Sequence, residues 1–296
     1  MMPTIVNGDR HPRGDQGFRL PTRAVEMLEV RPRIARWAVD AEELLALPGL
    51  GPQGGVAPQE QLDALEKFPF DELFSELDES TDCFWVTAAM MDLLDAARLT
   101  FPTSVDVEMP SHRGFVVFES PIRPWLPTSQ LVRGFVWVDG VVSLLVSFER
   151  PSDPIGLWVE CLSSPLPMTS IPTSAHPTVI DLWKIAAACV TLMGQRLAGV
   201  SSVHPDRASR RRLDRLGVKA IAGVQVVDLR RPPTGGARHG DGSAVNWSRR
   251  WIVGGHWRNQ WVPSTGGHRP TWIAPYVKGP EDKPIVARGR VYRWSR

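Results

Sequence analysis

The sequence predicts an α+β protein, a mostly antiparallel sheet packed on helices followed by a C-terminal basic, Trp-rich β-meander. Three stretches carry that prediction. First, the apolar runs LVRGFVW and VVSLLVSFER flank Asp139-Gly140, a strong signal for a two-residue hairpin. Second, TVIDLWKIAAACVTLMGQRLAG (178–199) carries few charges before Arg196 and reads as a core helix, with a capping-box-like start at Thr178 and Asp181 and a stop at Gly199. Third, NWSRRWIVGGHWRNQWVPSTGGHRPTWIAPYVK (246–278) alternates aromatic and polar residues as a strand does.

Taken in order, residues 1–20 show little periodicity and read as a loose arm, and 23–50 as a helix interrupted at Pro32. Gly and Pro make 47–59 a linker or surface loop. FPFDELFSELDESTD (68–82) reads as an amphipathic helix with an acidic, solvated face, or as an acidic docking strip. Ser80 or Thr81 is placed to cap a buried helix through CFWVTAAMMDLLDAARL. GFVVFES (114–120), the two runs around Asp139-Gly140, and IGLWVECLSS (155–164) are strands. After the 178–199 helix, Pro205 begins a short basic helix, DRASRRRLDRLG, whose five arginines cover more than one face. That helix is a solvated face, an ion-pair partner for acidic residues, or a phosphate contact. GVQVVDLRR (223–231) is a strand.

PPTGGARHGDGSA (232–244) is the clearest linker, and it divides the chain into an acidic α+β domain over 1–231, a linker over 232–246 and a basic β-module over 247–296. The module is expected to hold three strands, at 247–262, 271–278 and 285–294. Gly254-Gly255 within the first marks a bulge or a close backbone approach.

Composition narrows the classes. Hydrophobic residues at 43 % and charged residues at 22 % are globular values. Cys83, Cys161 and Cys189 are far apart and sit in apolar runs, the pattern of buried thiols in a reducing compartment and not of disulfides or a zinc site. The sequence shows no signal-peptide pattern and no apolar run of about 18 residues, so a cytoplasmic protein without membrane contact is expected. The net charge of +2 hides a segregation: residues 1–195 carry 14 Lys or Arg against 26 Asp or Glu, while 196–296 carry 20 against 6. A polyanionic partner for the basic third explains that split, and so does internal pairing of the two parts.

Six of the twelve tryptophans and both tyrosines lie from Trp247 onward. With period two, Trp251, Val253, Trp257 and Trp261 share one face, and Arg250, His256, Arg258 and Gln260 the other. A hydrophobic core has no use for a row of donors with a titratable ring; an anion or nucleic-acid site does. His268 and Arg269 at the next loop, Tyr276 and Lys278 on the second strand, and Arg288 and Arg290 (with Tyr292) on the third can converge on the same surface. His256 and His268 with Arg258 between them fit metal-free phosphodiester cleavage, one imidazole accepting a proton and the other donating one. Gln260, Arg250, Arg269, Tyr276, Lys278, Arg288 and Arg290 are then the substrate-binding set. A hydrogen-bonded structural His256 is the plain alternative. Two histidines twelve residues apart without a nearby thiol or carboxylate make no metal-ligand set, and no phosphate loop, dinucleotide fingerprint or nucleophile elbow occurs, so neither metal nor cofactor is expected. Of the tryptophans, Trp251, Trp257 and Trp261 are assigned to packing, while Trp247, Trp272 and Trp294 are freer to act.

The stretch SRRWIVGGHWRNQW through GGHRPTWIAPYVKGPED resembles a C-terminal signature, HWRxQ followed by HRPxWIxPYxKGPED, of actinobacterial and actinophage proteins. The resemblance covers about 247–284. It implies an actinobacterial or phage origin and no particular activity. Two readings follow. One is a nucleic-acid-directed protein, binding RNA or DNA, with a metal-independent RNase-like or toxin-like activity in its C-terminal module. The other is a non-enzymatic interaction protein whose basic module binds an acidic protein partner or its own N-terminal part.

Overall fold

The computed structural model describes residues 18–28, 81–124, 130–149, 158–162, 166–169, 171, 175, 177–215, 223–230, 249–264, 266–280 and 283–284. The expected helices at 23–50 and 68–82 fall mostly outside these, as do the linker at 232–246 and the expected strand at 285–294.

The architecture is α+β. Among the described residues, nine strands form one mixed sheet: β1 (Phe18–Arg19), β2 (Asp82–Val86), β3 (Arg113–Ile122), β4 (Gln130–Val138), β5 (Val141–Phe148), β6 (Trp158–Leu162), β7 (Leu166–Pro167), β8 (Ala198–Val203) and β9 (Val224–Leu229). Their order is β1-β6-β5-β4-β3-β2-β9-β8, with β7 paired to β5. Strand β2 pairs in parallel with β3 on one side and β9 on the other, and the remaining pairs among the described residues are antiparallel. The β4–β5 turn falls where expected: Asp139 and Gly140 have φ of 46° and 80°, the pair of positive values a right-twisted two-residue hairpin needs.

Two expectations are corrected. Cys83 to Val86, assigned to a helix, are the buried core of strand β2, and helix α1 covers only Ala88–Arg98. Cys-Phe-Trp-Val is short, continuous and rich in aromatic and branched residues, which suits a strand covered on both faces and flanked by parallel neighbours. The helix begins instead at Thr87, whose N–H donates to Val227 O, while the Glu119 carboxylate accepts from Ala88 N at the open end of the helix. The second correction concerns the 178–199 stretch. Helix α2 runs Pro177–Met193, and the end of the expected stretch, Ala198 and Gly199, belongs to edge strand β8. Gly199 is therefore a strand residue.

Helices α1 and α2 pack over one core, with Met90, Met91, Leu94, Leu182, Trp183, Ile185 and Leu192 meeting Phe84, Val116, Phe135, Trp137 and Leu144 of the sheet. Arg98, at the end of α1, is 4 % exposed. It donates to Asp95 at 2.8 Å, to Asp181 of α2 at 2.5 Å and to Arg123 O at 2.9 Å, so one buried guanidinium ties both helices to the end of β3. Cys83 and Cys189 are buried thiols, the first donating to Thr81 O, and burial pushes the Cys189 thiol far above its ordinary value. No helix among the described residues is long and apolar enough to cross a membrane.

Candidate nucleic-acid interface

The expected first strand of the meander is two strands, β10 (Trp251–Val253) and β11 (His256–Val262), and the second likewise divides into β12 (Gly267–Ile273) and β13 (Tyr276–Lys278). β11 pairs with β12 from Val262↔Gly267 to His256↔Ile273, and β10 pairs with β13 from Val253↔Tyr276 to Trp251↔Lys278. Two residues on each arm, Gly254-Gly255 against Ala274-Pro275, separate the pairs. The register is thus unbroken, and the whole is one long hairpin with a break in both arms, not a bulge. Gly255 is a close approach: a Cβ there would lie 2.4 Å from the Trp272 ring.

The hairpin is seated on the ends of α1 and α2. Trp257 Nε1 donates to Ala97 O at 2.8 Å, a carbonyl in the last turn of α1. Its ring meets Phe101 edge-on, centroids 4.8 Å apart, and Trp272 at 5.3 Å. Trp272, only 5 % exposed, belongs to the main core. Gln195, just past α2, holds β12 with both ends of its amide: Nε2 donates to Pro270 O at 3.3 Å, and Oε1 accepts from Trp272 N at 3.1 Å. Arg269 reaches Glu108 at 2.9 Å, a bridge between exposed side chains and hence a weak one.

This seating decides which face is displayed. Strand alternation and the pairing put Trp257, Asn259 and Trp261 on one face with Trp272, Pro270 and His268 opposite them. His256, Arg258 and Gln260 take the other, opposite Ile273, Thr271 and Arg269. All four of His256, Arg258, Gln260 and Arg269 are exposed. Successive members of the row on β11 stand about 7 Å apart, and Gln260 and Arg269 are direct cross-strand neighbours. His256 Nδ1 lies 3.0 Å from Gly254 O; a carbonyl only accepts, so Nδ1 carries the proton of that hydrogen bond. The row offers two guanidiniums, an amide and an imidazole to solvent.

Not every predicted residue joins it. His268 is on the opposite face, ring to ring with Trp261 at 5.2 Å, and about 17 Å along the strands from the His256 position. The two histidines are therefore not brought together, and a cleavage step shared between them has no support in this geometry. Lys278 lies over the Trp251 ring at 5.9 Å, and Tyr276, opposite Val253, is exposed. In the common register, the positions that continue the His256 row are those of Ile252 and Val277, not Tyr276 and Lys278. Arg250 is half-buried, with its N–H donating to Pro284 O and its side chain against Gly279, so it is no part of the displayed row. Arg288 and Arg290 lie outside the described residues. Among the described residues, no group of three or more His, Cys, Asp or Glu could hold a metal.

The tryptophan assignment reverses in two places. Trp272, expected to be free, is the buried anchor, and Trp261, expected in the core, is 52 % exposed. Trp261 lies one residue from the strand end, where the hairpin tip has run past the helices; its distance from the PSTGG turn was the available signal. Nothing local marks Gln195 as the residue that fixes β12.

No protein-family model matches this chain, and no curated protein does. Among solved structures, one titled "Crystal structure of AcrVA2" aligns with 86 % of this chain and 96 % of its own at 13 % identity and a TM-score of 0.30. A score that low carries no argument about fold or activity.

Proposed function

We propose that the protein is nucleic-acid-directed and binds a phosphodiester backbone through the outer face of the β11–β12 hairpin. The carrying observation is the exposed row His256, Arg258 and Gln260 with Arg269 alongside, on a face that the Trp257–Trp272 anchor turns away from the core. Its donors recur at a spacing of about 7 Å, one for each backbone step of an extended strand. Trp261, exposed at the tip on the opposite face and beside the His268 ring, offers a base a stacking surface where the strand passes round the tip. The reading is of binding, with no cleavage step through His256 and His268. The signature over 247–284 supports an actinobacterial or phage setting for it.

Fluorescence anisotropy with a labelled single-stranded RNA tests the reading. Arg258→Gln should weaken binding by about tenfold, the scale of one charge-assisted hydrogen bond. Arg258→Lys should recover only part of that, since an ammonium cannot make a planar two-point grip on phosphate. Wild-type affinity in Arg258→Gln, or no binding by the wild type at low salt, removes the reading.

The Arg269–Glu108 bridge favours a second reading, in which the basic hairpin serves the acidic surface of its own chain or of a protein partner. Its signature is salt-sensitive stability without affinity for RNA or DNA.

A further inference from the structure

The hairpin surface makes no use of helix α3, Arg207–Arg215, although it carries five of the arginines of the basic third. Its inner side is fixed: Ser209 and Leu213 are buried, and Asp206 Oδ1 accepts from Ser209 N at 2.7 Å as the cap. That bond, first among the causes, holds the Asp206 carboxyl below its ordinary range. Opposite the buried pair stand Arg207, Arg211 and Arg215, one every four residues, each step rising about 6 Å and turning about 40°. Arg210 flanks them, and all four are exposed. Like charges four apart destabilise a helix, and only one acid, Asp214, lies within it. A helix that is merely solvated gains nothing from this arrangement. Arg212, the fifth arginine, donates to Ser209 Oγ at 3.2 Å and lies near the Asp206 carboxylate, but among the described residues none of the other four meets a carboxylate, and Arg215 Nε donates to the Arg211 carbonyl.

We infer that α3 is a second binding surface for a nucleic-acid backbone, with Arg207, Arg211 and Arg215 contacting successive phosphates. The choice of ligand rests on the reading of the hairpin; the choice of residues does not. Charge complementarity carries the occupant: a rising ridge of fixed positive charge, with only the small Ala208 and no aromatic or large apolar residue exposed among the arginines, suits a regular polyanion read without regard to sequence. Exposed large hydrophobic residues would be expected at the centre of a protein-binding surface, and this helix presents none.

The test is the salt dependence of anisotropy with a single-stranded RNA of about 20 nucleotides, in the full chain. The variant is Arg207→Gln, Arg211→Gln and Arg215→Gln together, all replacements by good helix formers. Loss of three phosphate contacts should flatten the slope of log affinity against log salt by about 2, and Arg→Lys at the same three positions should keep it. An unchanged slope in the Gln variant overturns the inference. Arg258→Gln with Arg269→Gln, measured in parallel, separates the two surfaces. If only the α3 variant weakens binding, the hairpin reading fails and this one stands; if only the hairpin variant does, the reverse holds. Binding of poly-glutamate in preference to RNA, lost in the α3 variant, would make α3 a surface for acidic protein and overturn the inference too.

Discussion

Trp257→Ala tests whether the displayed row depends on the anchor beneath it. The substitution deletes the bond to Ala97 O, about 1 kcal/mol net, and leaves that carbonyl without its donor. It also removes edge contacts with Phe101 and Trp272, each about 0.5–1.5 kcal/mol beyond the area buried. Because Trp257 is half-buried, the total belongs at the lower end of the range for such truncations, about 3 kcal/mol. For a chain of this size that lowers Tm by roughly 6–12 °C if the hairpin and the sheet unfold together. If the hairpin opens by itself, the loss appears instead as faster amide exchange confined to β11 and β12. Calorimetry and hydrogen exchange on the same samples distinguish the two. Trp257→Phe keeps an aromatic ring and loses the donor, so it should cost about 1–2 kcal/mol. A wild-type Tm in Trp257→Ala together with unchanged protection of β11 and β12 would refute the anchoring argument.

Further expectations follow from single contacts. Gly255→Ala should destabilise the hairpin by about 1–3 kcal/mol, because its Cβ would sit 2.4 Å from the Trp272 ring; thermal melts read it directly, and no loss would mean the ring is free to yield. Asp181→Ala removes the mostly buried carboxylate that Arg98 Nη1 donates to, leaving Asp95 and the Arg123 carbonyl as partners, and should cost about 3 kcal/mol in urea titration, while Asp95→Ala, whose side chain is 59 % exposed, should stay within about 1 kcal/mol; equal losses would contradict the burial argument. Cys189, buried and with its thiol pushed up, should resist alkylation in the native protein and react on unfolding, as mass spectrometry of iodoacetamide-treated samples would show; rapid native labelling would be inconsistent with its place in the core.

What the sequence revealed of this fold depended on how local each signal was. The Asp139-Gly140 hairpin and the existence of α2 were legible because turn chemistry and a long apolar pattern act within a few residues. β2 was misread because a buried parallel strand and the start of a buried helix look alike over four apolar residues, and only the neighbours β3 and β9 separate them. The same limit governs the site. Period two placed His256, Arg258 and Gln260 on one face correctly, since alternation is intrinsic to a strand. It could not place His268, because the face of a residue on the return strand is set by the pairing register. Nor could it tell Trp261 from Trp257: both point the same way, and only the reach of the helices beneath decides which is covered.

Ultraviolet crosslinking of the full chain to a 4-thiouridine-substituted single-stranded RNA, with mass-spectrometric mapping of the attached peptides, would locate the nucleic-acid contact on the chain. Binding through the hairpin should give adducts within 256–273, on the displayed face or at Trp261, that are lost as salt is raised. Crosslinks confined to the main sheet, or none at low salt, would contradict it.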